Sequence, residues 1–449
     1  MRIGFGRVDI TPRIGVELCG FGAFLNRHST AIRDRLWARA MAIEVEGTRL
    51  VIVSCDLVGI GREMSAKIRA AVMSATGLPA SAIMVHSTHT HSGPTTMSTS
   101  GWGDADPPYC EILPTRVARA CIDAVGNLRE ATLAHAEVPC EGIGQNREYD
   151  RDNLPLDEVM RPGWRPNKPE LTDTTCHVLT ATADGTVIGF VSYFGCHPVV
   201  CCSDSRHIHG DFCGVATNLL ETEFSGATGM FLQGAQGDVN SRVVHKPAAE
   251  SLRALDIIAG EYAAAVRVGI QRAQPIVVDQ LAAHQRLVRF TRKPWDLAKL
   301  RGMLAETEAS IVAAPDESAQ SMRINMVHLI ALRRMVADME AGRDMSPPIE
   351  LQGFRLGPIA LLASPFETFQ AIKNDVVKGS AADIPLVLSF ANDSVGYAAD
   401  HTAAARGGYA ADMVPIIYGS LPYAQVHTEL VAGLLAVDVA LANSIHAIA

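Results

Sequence analysis

Apolar residues in this chain fall into short continuous runs, separated by segments with the 3.6-residue spacing of a helix. Residues 49–59 (RLVIVSCDLVG) form one run, residues 61–77 predict a helix that ends at Gly77, and residues 82–89 (AIMVHSTH) form the next run. A strand–helix–strand order favours a right-handed crossover and parallel pairing of the two strands. The N-terminal part of the chain is therefore predicted to be α/β.

The alternation of strands and helices continues to the C-terminus. Further strands are predicted at 131–139, within 176–197 (most clearly at 186–197), and at 229–238, 349–364 and 385–390. Further helices are predicted at 108–128, 212–226, 248–273, 366–378 and 425–447. Residues 146–170 are polar and rich in proline, which predicts a loop. Residues 291–348 are charged and helical without a strand, and they predict an inserted helical hairpin or lid.

No linker rich in Gly, Ser or Pro divides the chain into two parts. The length of 449 residues and the hydrophobic content of 48% are sufficient for a large core. We therefore expect a single domain over residues 1–449. Its predicted class is α/β, with mixed, largely parallel sheets covered by helices and with a helical insertion.

Composition and charge exclude several classes of partner. The net charge is −9 and the chain has no Lys/Arg run, which argues against nucleic acid. No uninterrupted apolar segment approaches the ~20 residues of a membrane span, and the N-terminus lacks the features of a signal peptide. The ten cysteines lie mostly in apolar contexts, as reduced thiols do. We therefore expect a cytoplasmic protein with a small-molecule substrate and no membrane partner; a homo-oligomer is left open.

The segment HSTHTHSGP, residues 86–94, concentrates three histidines at the end of a predicted strand. Side chains alternate faces along a strand, so His89 and His91 are predicted to point the same way and His86 the other. Two imidazoles on one face can bind a single metal ion. A pair of hydrogen-bonded loop histidines is an equally good interpretation of this segment alone.

Polar side chains also follow the other predicted strands. Ligands in α/β sheets collect at the carboxyl ends of strands, where this chain places Asp56, His89, His91, His197, Gln236, Asp238, Glu367, Asn392, Asp393 and Tyr397. A single histidine there is usually structural and a single carboxylate is usually a helix cap, but the convergence of so many favours a metal site. Histidine with carboxylate is the ligand set of catalytic zinc.

Two further features bear on this metal site. Cys196, Cys201 and Cys202 lie close to His197 in sequence and offer a thiolate alternative, although they lack the paired spacing of a structural zinc site. Asp56 and Asp238 are candidates to orient metal ligands through hydrogen bonds, or they cap a helix or fix a turn.

The order and approximate spacing of several motifs resemble the neutral/alkaline ceramidase family. These motifs are GRVDITP, LWARAMAIEVEGTRLVIVSCDLVG, HSTHTHSGP, GQNRE, FGCHP, HGDF, GAQGDVN, SPFET and ANDSVGY. The resemblance covers residues 3–430 and is to the catalytic N-terminal domain only, without the family's C-terminal immunoglobulin-like domain.

The resemblance implies a set of site residues. His89, His197, Glu367 and Tyr397 match the zinc ligands of the family. His91 matches the histidine that faces the scissile carbonyl, and Arg147 matches an active-site arginine. Tyr409 matches a second tyrosine that polarises the carbonyl.

This chain departs from the family after the GDV motif. The family has a serine there, whereas this chain has Asn240, with Ser241 one position later. A shift of one residue turns a side chain elsewhere, so Ser241 is a poor substitute. The departure favours metal-activated water as the attacking group, and it argues against ceramide as the substrate.

We therefore predict a zinc-dependent amidohydrolase that cleaves a linear N-acyl bond of a small polar molecule. His91, Tyr409 and Arg147 are its predicted catalytic residues, and Zn²⁺ is its predicted cofactor. A zinc-dependent esterase or lactonase is the first alternative. A non-catalytic binding protein on the same fold is the second, and a metal-assisted lyase or isomerase is the third.

Overall fold

Three large sheets, each ending in one parallel strand pair, form the framework of the molecule. The computed structural model of the chain describes residues 1–97, 99–150, 154–314, 316 and 318–446. The predicted α/β class with mixed sheets is confirmed.

The first sheet is built from the N-terminal part of the chain. Its elements and their neighbours are β1 (Arg2–Asp9), β2 (Ala31–Ile32), β3 (Trp37–Val45), β4 (Thr48–Cys55), α1 (Arg62–Thr76), β5 (Ile83–Ser87), α2 (Pro107–Gly126) and β6 (Arg129–Glu130). The strand order is β5-β4-β3-β1-β6. A two-residue turn at Glu46 and Gly47, both with positive φ, joins β3 to β4, as is typical of tight hairpins.

The second sheet follows in the chain. Its elements and their neighbours are β7 (Thr132–Pro139), β8 (Gly144–Asn146), α3 (Leu156–Val159), β9 (Thr175–Ala183), β10 (Thr186–Phe194), β11 (His207–Ile208), α4 (Asp211–Glu223), β12 (Thr228–Gln233), β13 (Val239–Ser241), α5 (Ala248–Arg272) and β14 (Gln274–Pro275). The strand order is β12-β10-β9-β7-β14. Helices α4 and α5 cover one face, and the other face shares a core with the first sheet.

The third sheet is C-terminal. Its elements and their neighbours are β15 (Leu281–Val288), α6 (Leu297–Ala313), α7 (Gln320–Glu340), β16 (Ile349–Leu356), β17 (Ile359–Ala363), β18 (Glu367–Thr368), α8 (Gln370–Gly379), β19 (Ile384–Leu388), β20 (Tyr397–Ala398), α9 (His401–Arg406), α10 (Val414–Ile417) and α11 (Val426–His446). The strand order is β15-β16-β17-β19. The pairs β2–β11, β8–β13 and β18–β20 form small two-stranded sheets.

The predicted emphasis on parallel pairing needs correction. Nine of the fourteen described strand pairs are antiparallel, and three of these, β3–β4, β9–β10 and β16–β17, are hairpins closed by a two-residue turn. The strands predicted within 176–197 form a hairpin of β9 and β10 around Asp184 and Gly185, and the predicted strand at 349–364 is a hairpin of β16 and β17. Parallel pairing is confined to β4–β5, β10–β12, β17–β19 and two short pairs among the described strands.

Helix α11 is the one described helix that is long and apolar enough to cross a membrane by length and composition, over Val426–Ser444. Glu429 and Asp438 interrupt its apolar run, and 44% of that window is buried. Its buried stripe packs on the third sheet through Leu430, Leu434, Val437 and Leu441. The helix therefore forms part of the core of the third sheet.

Helices α6 and α7 occupy most of residues 291–348. They pack against each other and against α10 through Leu300, Leu332 and Met335, which are at most 1% exposed. The helical character predicted for this segment agrees with the structure.

Candidate functional site

The carboxyl ends of the three parallel pairs meet at one place in the molecule. The loop after β5 carries His89 and His91, and the loop after β10 carries His197. Glu367 follows β17, and Tyr397 follows β19 and pairs with Glu367 across β18 and β20. The structure thus brings together five of the predicted site residues from three different sheets.

Three histidines and one carboxylate form a buried cluster at this junction. The Nε2 atoms of His89 and His91 lie 3.0 Å apart, and His197 Nε2 lies 3.1 Å from Glu367 Oε2. His89 Nε2 lies 3.5 Å from the same Glu367 oxygen. Ligand atoms of the three imidazoles all lie within 4.8 Å of one another. Such a donor set, with short mutual separations, fits a single zinc ion.

Hydrogen bonds fix the orientation of two of the three imidazoles. His89 Nδ1 donates to Val58 O at 2.6 Å, and His197 Nδ1 donates to Gln236 O at 2.6 Å. A ring that donates through Nδ1 to a carbonyl keeps its lone pair on Nε2, which is how metal-ligating histidines are commonly held. No partner for His91 Nδ1 is found among the residues that the structure describes. His91 therefore differs from the other two.

Burial controls the charge states of the cluster. It lowers the pKa of His197 to about 4, and together with the adjacent His89 and His197 it holds the pKa of His91 well below its ordinary value. Burial raises the pKa of Glu367, but the adjacent His89 and the hydrogen bond with His197 outweigh it and hold that pKa well below the usual range. An ionised Glu367 beside neutral His91 and His197 rings is the state that favours binding of a divalent cation.

Three members of the cluster, His89, His91 and Glu367, line a cavity of about 470 Å³, and His197 lies behind them. Most of the remaining wall is apolar or aromatic, and it includes Phe21, Val58, Met97, Trp102, Val199, Val244, Ile324, Met413, Val414, Ile417 and Tyr418. The size agrees with the small substrate predicted from the sequence. The predicted polar character of that substrate does not match these walls, because apolar surface rewards burial of an apolar group.

Arg147 and Tyr397 pack together beside the cluster. The guanidinium of Arg147 lies 5.2 Å above the Tyr397 ring, and it donates to Gly237 O at 2.6 Å and to Asn240 Oδ1 at 3.2 Å. Burial lowers the pKa of Arg147, but the nearby Tyr397 and Glu367 outweigh it and raise the pKa overall. Arg147 is thus a fixed positive charge on the cavity wall.

Tyr409 lies at the more open part of the cavity. It begins a π-helical turn, Tyr409–Met413, and its ring centre is 5.9 Å from that of Tyr397. It is 47% exposed, whereas Tyr397 is 7% exposed. The two tyrosines therefore differ in access to solvent. Tyr409 is accessible to a substrate that enters the cavity.

Asn240 lines the cavity and Ser241 is not among the residues that do so. Ser241 is fully buried in β13, where it pairs with Gly144. The shift of one position after GDV therefore places the amide of Asn240 beside Arg147, and it directs the serine away from the cavity.

Other polar residues at strand ends serve the scaffold. Asp56 accepts hydrogen bonds from the Trp37 backbone and from Arg39, away from the cluster. Asp238 accepts hydrogen bonds from the backbone N–H of Gln370, at the start of α8, and from the side chain of Asn146. It therefore links the loop that contains Gln236 to α8, the helix that follows Glu367. Asn392 and Asp393 bond to other loops and strands.

The thiolate alternative is not supported by the structure. All ten cysteines are unpaired thiols, and nine of them are buried. Cys196 and Cys202 contact backbone oxygens, and neither of the metal-competent groups found in the described part of the chain contains a cysteine.

Sequence reasoning missed several cavity residues. The loop at Cys19–Gly22 and the start of α7, with Gln320 and Ile324, line the cavity, as does His245. The sequence shows only a glycine at position 20, and the structure gives the reason for it: Gly20 has a φ of 103°, and a Cβ there would lie 2.4 Å from the His91 ring. Only glycine permits this close approach.

Comparisons with known proteins agree with the fold. The family model for neutral/alkaline non-lysosomal ceramidase, N-terminal region, matches residues 1–247. The neutral ceramidase of Pseudomonas aeruginosa is 27% identical over 312 residues, which are 65% of this chain and 45% of that protein, so the match spans less than half of the relative.

Two solved structures have a similar fold. The crystal structure of neutral ceramidase from Pseudomonas aeruginosa has a TM-score of 0.73 at 21% identity, over 98% of this chain and 75% of the other. A structure described as ceramidase complexed with C2 has a TM-score of 0.75 at 20% identity, over 99% of this chain and 75% of the other.

Proposed function

Because the chain belongs to the neutral/alkaline non-lysosomal ceramidase family, we propose that it is a zinc-dependent amidohydrolase that cleaves a linear N-acyl bond. The observation that carries this proposal is the buried cluster of His89, His91, His197 and Glu367 at the end of the cavity. Amide hydrolysis needs an activated water and a polarised carbonyl, and a bound zinc ion supplies both.

His89, His197 and Glu367 are the residues proposed to hold the zinc ion, with Tyr397 as a fourth ligand. The Nδ1 hydrogen bonds to Val58 and Gln236 support this role for the two histidines, because they direct Nε2 into the cluster. His91 has no such anchor among the described residues, which supports a role in proton transfer at Nε2 rather than as a ligand.

Arg147 and Tyr409 are proposed to stabilise negative charge that develops on the substrate. The Arg147 guanidinium is held by Gly237 and Asn240, so little reorganisation is needed during the reaction. The Tyr409 hydroxyl is proposed to donate a hydrogen bond from the open side of the cavity.

The substrate is proposed to carry an apolar acyl group of modest size. A volume of about 470 Å³ is in the range of pockets for small ligands, and aromatic side chains such as Phe21, Trp102 and Tyr418 line it. The proposal therefore replaces the polar molecule expected from the sequence with an amide that has an apolar acyl chain.

The test is hydrolysis by the zinc-loaded chain of matched panels of N-acyl amides, esters and lactones with increasing acyl length. We expect turnover of amides, its loss after metal removal and its recovery with Zn²⁺. Turnover of esters or lactones without any amide would favour the esterase alternative. Stoichiometric zinc without turnover of any panel would favour a binding protein.

A further inference from the structure

A second group of side chains that could bind a metal ion lies on the second sheet, outside the cavity. His135 and Glu137 are two residues apart on β7, and Glu137 is directly opposite His177 on β9. Side chains at alternate positions of a strand share a face, so all three side chains project from the same face of the sheet. This is the face on which Leu133 and Leu179 enter the core shared with the first sheet.

The donor atoms of the three side chains are close together. His135 Nε2 lies 3.2 Å from His177 Nδ1, and that nitrogen lies 3.7 Å from Glu137 Oε1. One donor atom from each residue lies within 4.8 Å of the others. Two nitrogens that are each about 2.0–2.1 Å from a zinc ion are about 3.3 Å apart at a tetrahedral angle, which matches the observed separation.

We propose that His135, Glu137 and His177 form a second site for a divalent transition-metal ion, with solvent as the remaining ligand. Imidazole favours zinc, nickel and copper over magnesium or calcium, so the proposed ligand is an ion of the first group. The site would join β7 to β9 across the sheet. Its proposed role is structural, because no contact between these three side chains and a residue lining the cavity is found in the described part of the chain.

The surroundings are compatible with metal binding. Burial lowers the pKa of both His135 and His177, so both rings are neutral at neutral pH and each has one unprotonated nitrogen. Lys373 is the nearby positive charge, and it pairs with Asp173. Glu137 is 58% exposed at its side chain, which gives an ion and its water ligands access from solvent.

A plain hydrogen bond between the two rings is the competing explanation. The ring planes differ by 21° and the ring centres are 5.4 Å apart, so with nitrogens 3.2 Å apart the rings meet edge to edge. In the proposed metal-bound state both rings turn from this arrangement, so that one nitrogen of each points to a common ion beside Glu137. The position of Glu137 distinguishes the two explanations. A hydrogen bond between the two rings does not require a third donor nearby, whereas a metal site does.

The experiment is titration of the metal-free full-length chain with Zn²⁺, followed by calorimetry and elemental analysis. Variants His135→Gln, His177→Gln and Glu137→Gln remove one donor each. His284→Gln is the matched control, because His284 is also half-buried on a strand, β15. Circular dichroism verifies that each variant is folded.

We expect His135→Gln and His177→Gln to bind one zinc ion fewer per chain than the native protein, and His284→Gln to bind as the native protein does. Removal of a residue that only hydrogen-bonds to a metal ligand typically lowers metal affinity by about 10- to 100-fold. Glu137 is proposed as a direct ligand, so Glu137→Gln should lower the zinc affinity of this site by at least about tenfold. His89→Ala should leave this site intact, which separates it from the proposed catalytic site. Equal zinc binding by native protein and by all three folded variants would overturn the proposal.

Discussion

His89 shows how single residues prepare the proposed metal site. Its φ of 68° is uncommon for a residue other than glycine, and its backbone N–H donates to Leu57 O at 2.9 Å. The ring is held at the other end by the hydrogen bond to Val58 O. Backbone and ring are thus both fixed by the segment that follows β4, so the orientation of Nε2 does not depend on a bound ion.

The first prediction distinguishes the roles of His89 and His91. His89→Ala and His197→Ala should lose zinc from the catalytic site, because each removes an anchored donor. His91→Ala should keep this zinc and lose about 10²- to 10⁴-fold in turnover, as is typical when a proton-transfer group is removed. Zinc content and kcat should be measured in the His177→Gln background, so that the site on the second sheet does not contribute. Loss of zinc from His91→Ala would show that His91 is a ligand.

The second prediction concerns stability below pH 6.5. Burial lowers the pKa of His209 from 6.5 to about 3, and its Nδ1 accepts a hydrogen bond from the Asp211 backbone. Between those pH values the unfolded chain binds a proton that the folded chain excludes, so stability falls as the pH falls. His209→Asn keeps an acceptor near Nδ1 and cannot titrate.

The free energy of unfolding of the native chain should therefore fall more steeply than that of His209→Asn between pH 6.5 and 4.5. The difference should approach about 1.4 kcal/mol per pH unit, which corresponds to one proton. Urea denaturation at several pH values measures it. Parallel profiles for the two proteins would contradict this account of His209.

At the scale of elements, the sequence pattern identified helices and strands better than their pairing. The strand–helix–strand order of β4, α1 and β5 was predicted and is present. Strands β1 and β3 were missed because residues 2–9 and 37–45 mix small and charged residues without a clear alternation. The strand 186–197 is predicted correctly, whereas the Asp184–Gly185 turn that pairs it with β9 is not predicted, although Asp-Gly is a common hairpin signal.

The candidate site was predictable only in part. The histidines and Glu367 follow strands, where polar residues indicate a ligand site from pattern alone. Arg147 and Tyr409 depend on the family resemblance. The pattern places Tyr397 at a strand end, but its role as a ligand also depends on the resemblance, since a tyrosine in a loop gives no local signal for metal chemistry. The apolar walls were not predictable, because they come from loops and from α7, which lie far apart in sequence and meet only in the folded chain.

The third prediction tests whether α7 shapes the acyl pocket. Ile324 lines the cavity, whereas Ile330 on the same helix is 41% exposed and lines no part of it. Ile324→Trp should lower kcat/KM for longer acyl chains by about tenfold while zinc content stays unchanged. Ile330→Trp is the matched control and should behave as the native chain. Equal effects of both substitutions would show that α7 acts through the stability of the hairpin instead.

At the scale of the whole molecule, a buried ion cluster joins the first sheet to the layer of α4. Arg39 on β3 donates to Asp56 at 2.9 Å and to both oxygens of Glu221 on α4 at 3.1 Å. Arg39 and Asp56 are at most 3% exposed. Burial raises the pKa of Asp56, and Arg39 opposes that rise. The cluster positions the helix layer on the sheets that supply the cavity.

The fourth prediction follows from this cluster. Arg39→Met leaves buried Asp56 without its cationic partner and leaves Glu221 with Arg7 alone, which should cost about 3–5 kcal/mol in the free energy of unfolding. Arg301→Met is the control, because Arg301 pairs with Glu340 at an exposed position, and it should cost about 1 kcal/mol or less. Urea denaturation measures both variants. A similar small effect of the two substitutions would mean that the buried cluster does not join the layers.

The central claim is that side chains from three sheets bind one zinc ion at the end of the cavity. The most direct measurement is an anomalous difference map, collected at the zinc absorption edge from crystals of the zinc-loaded chain. The account predicts a peak within ligand distance, about 2.0–2.2 Å, of His89 Nε2, His197 Nε2 and a Glu367 oxygen. A map of the zinc-loaded crystals without a peak among these three residues would contradict it.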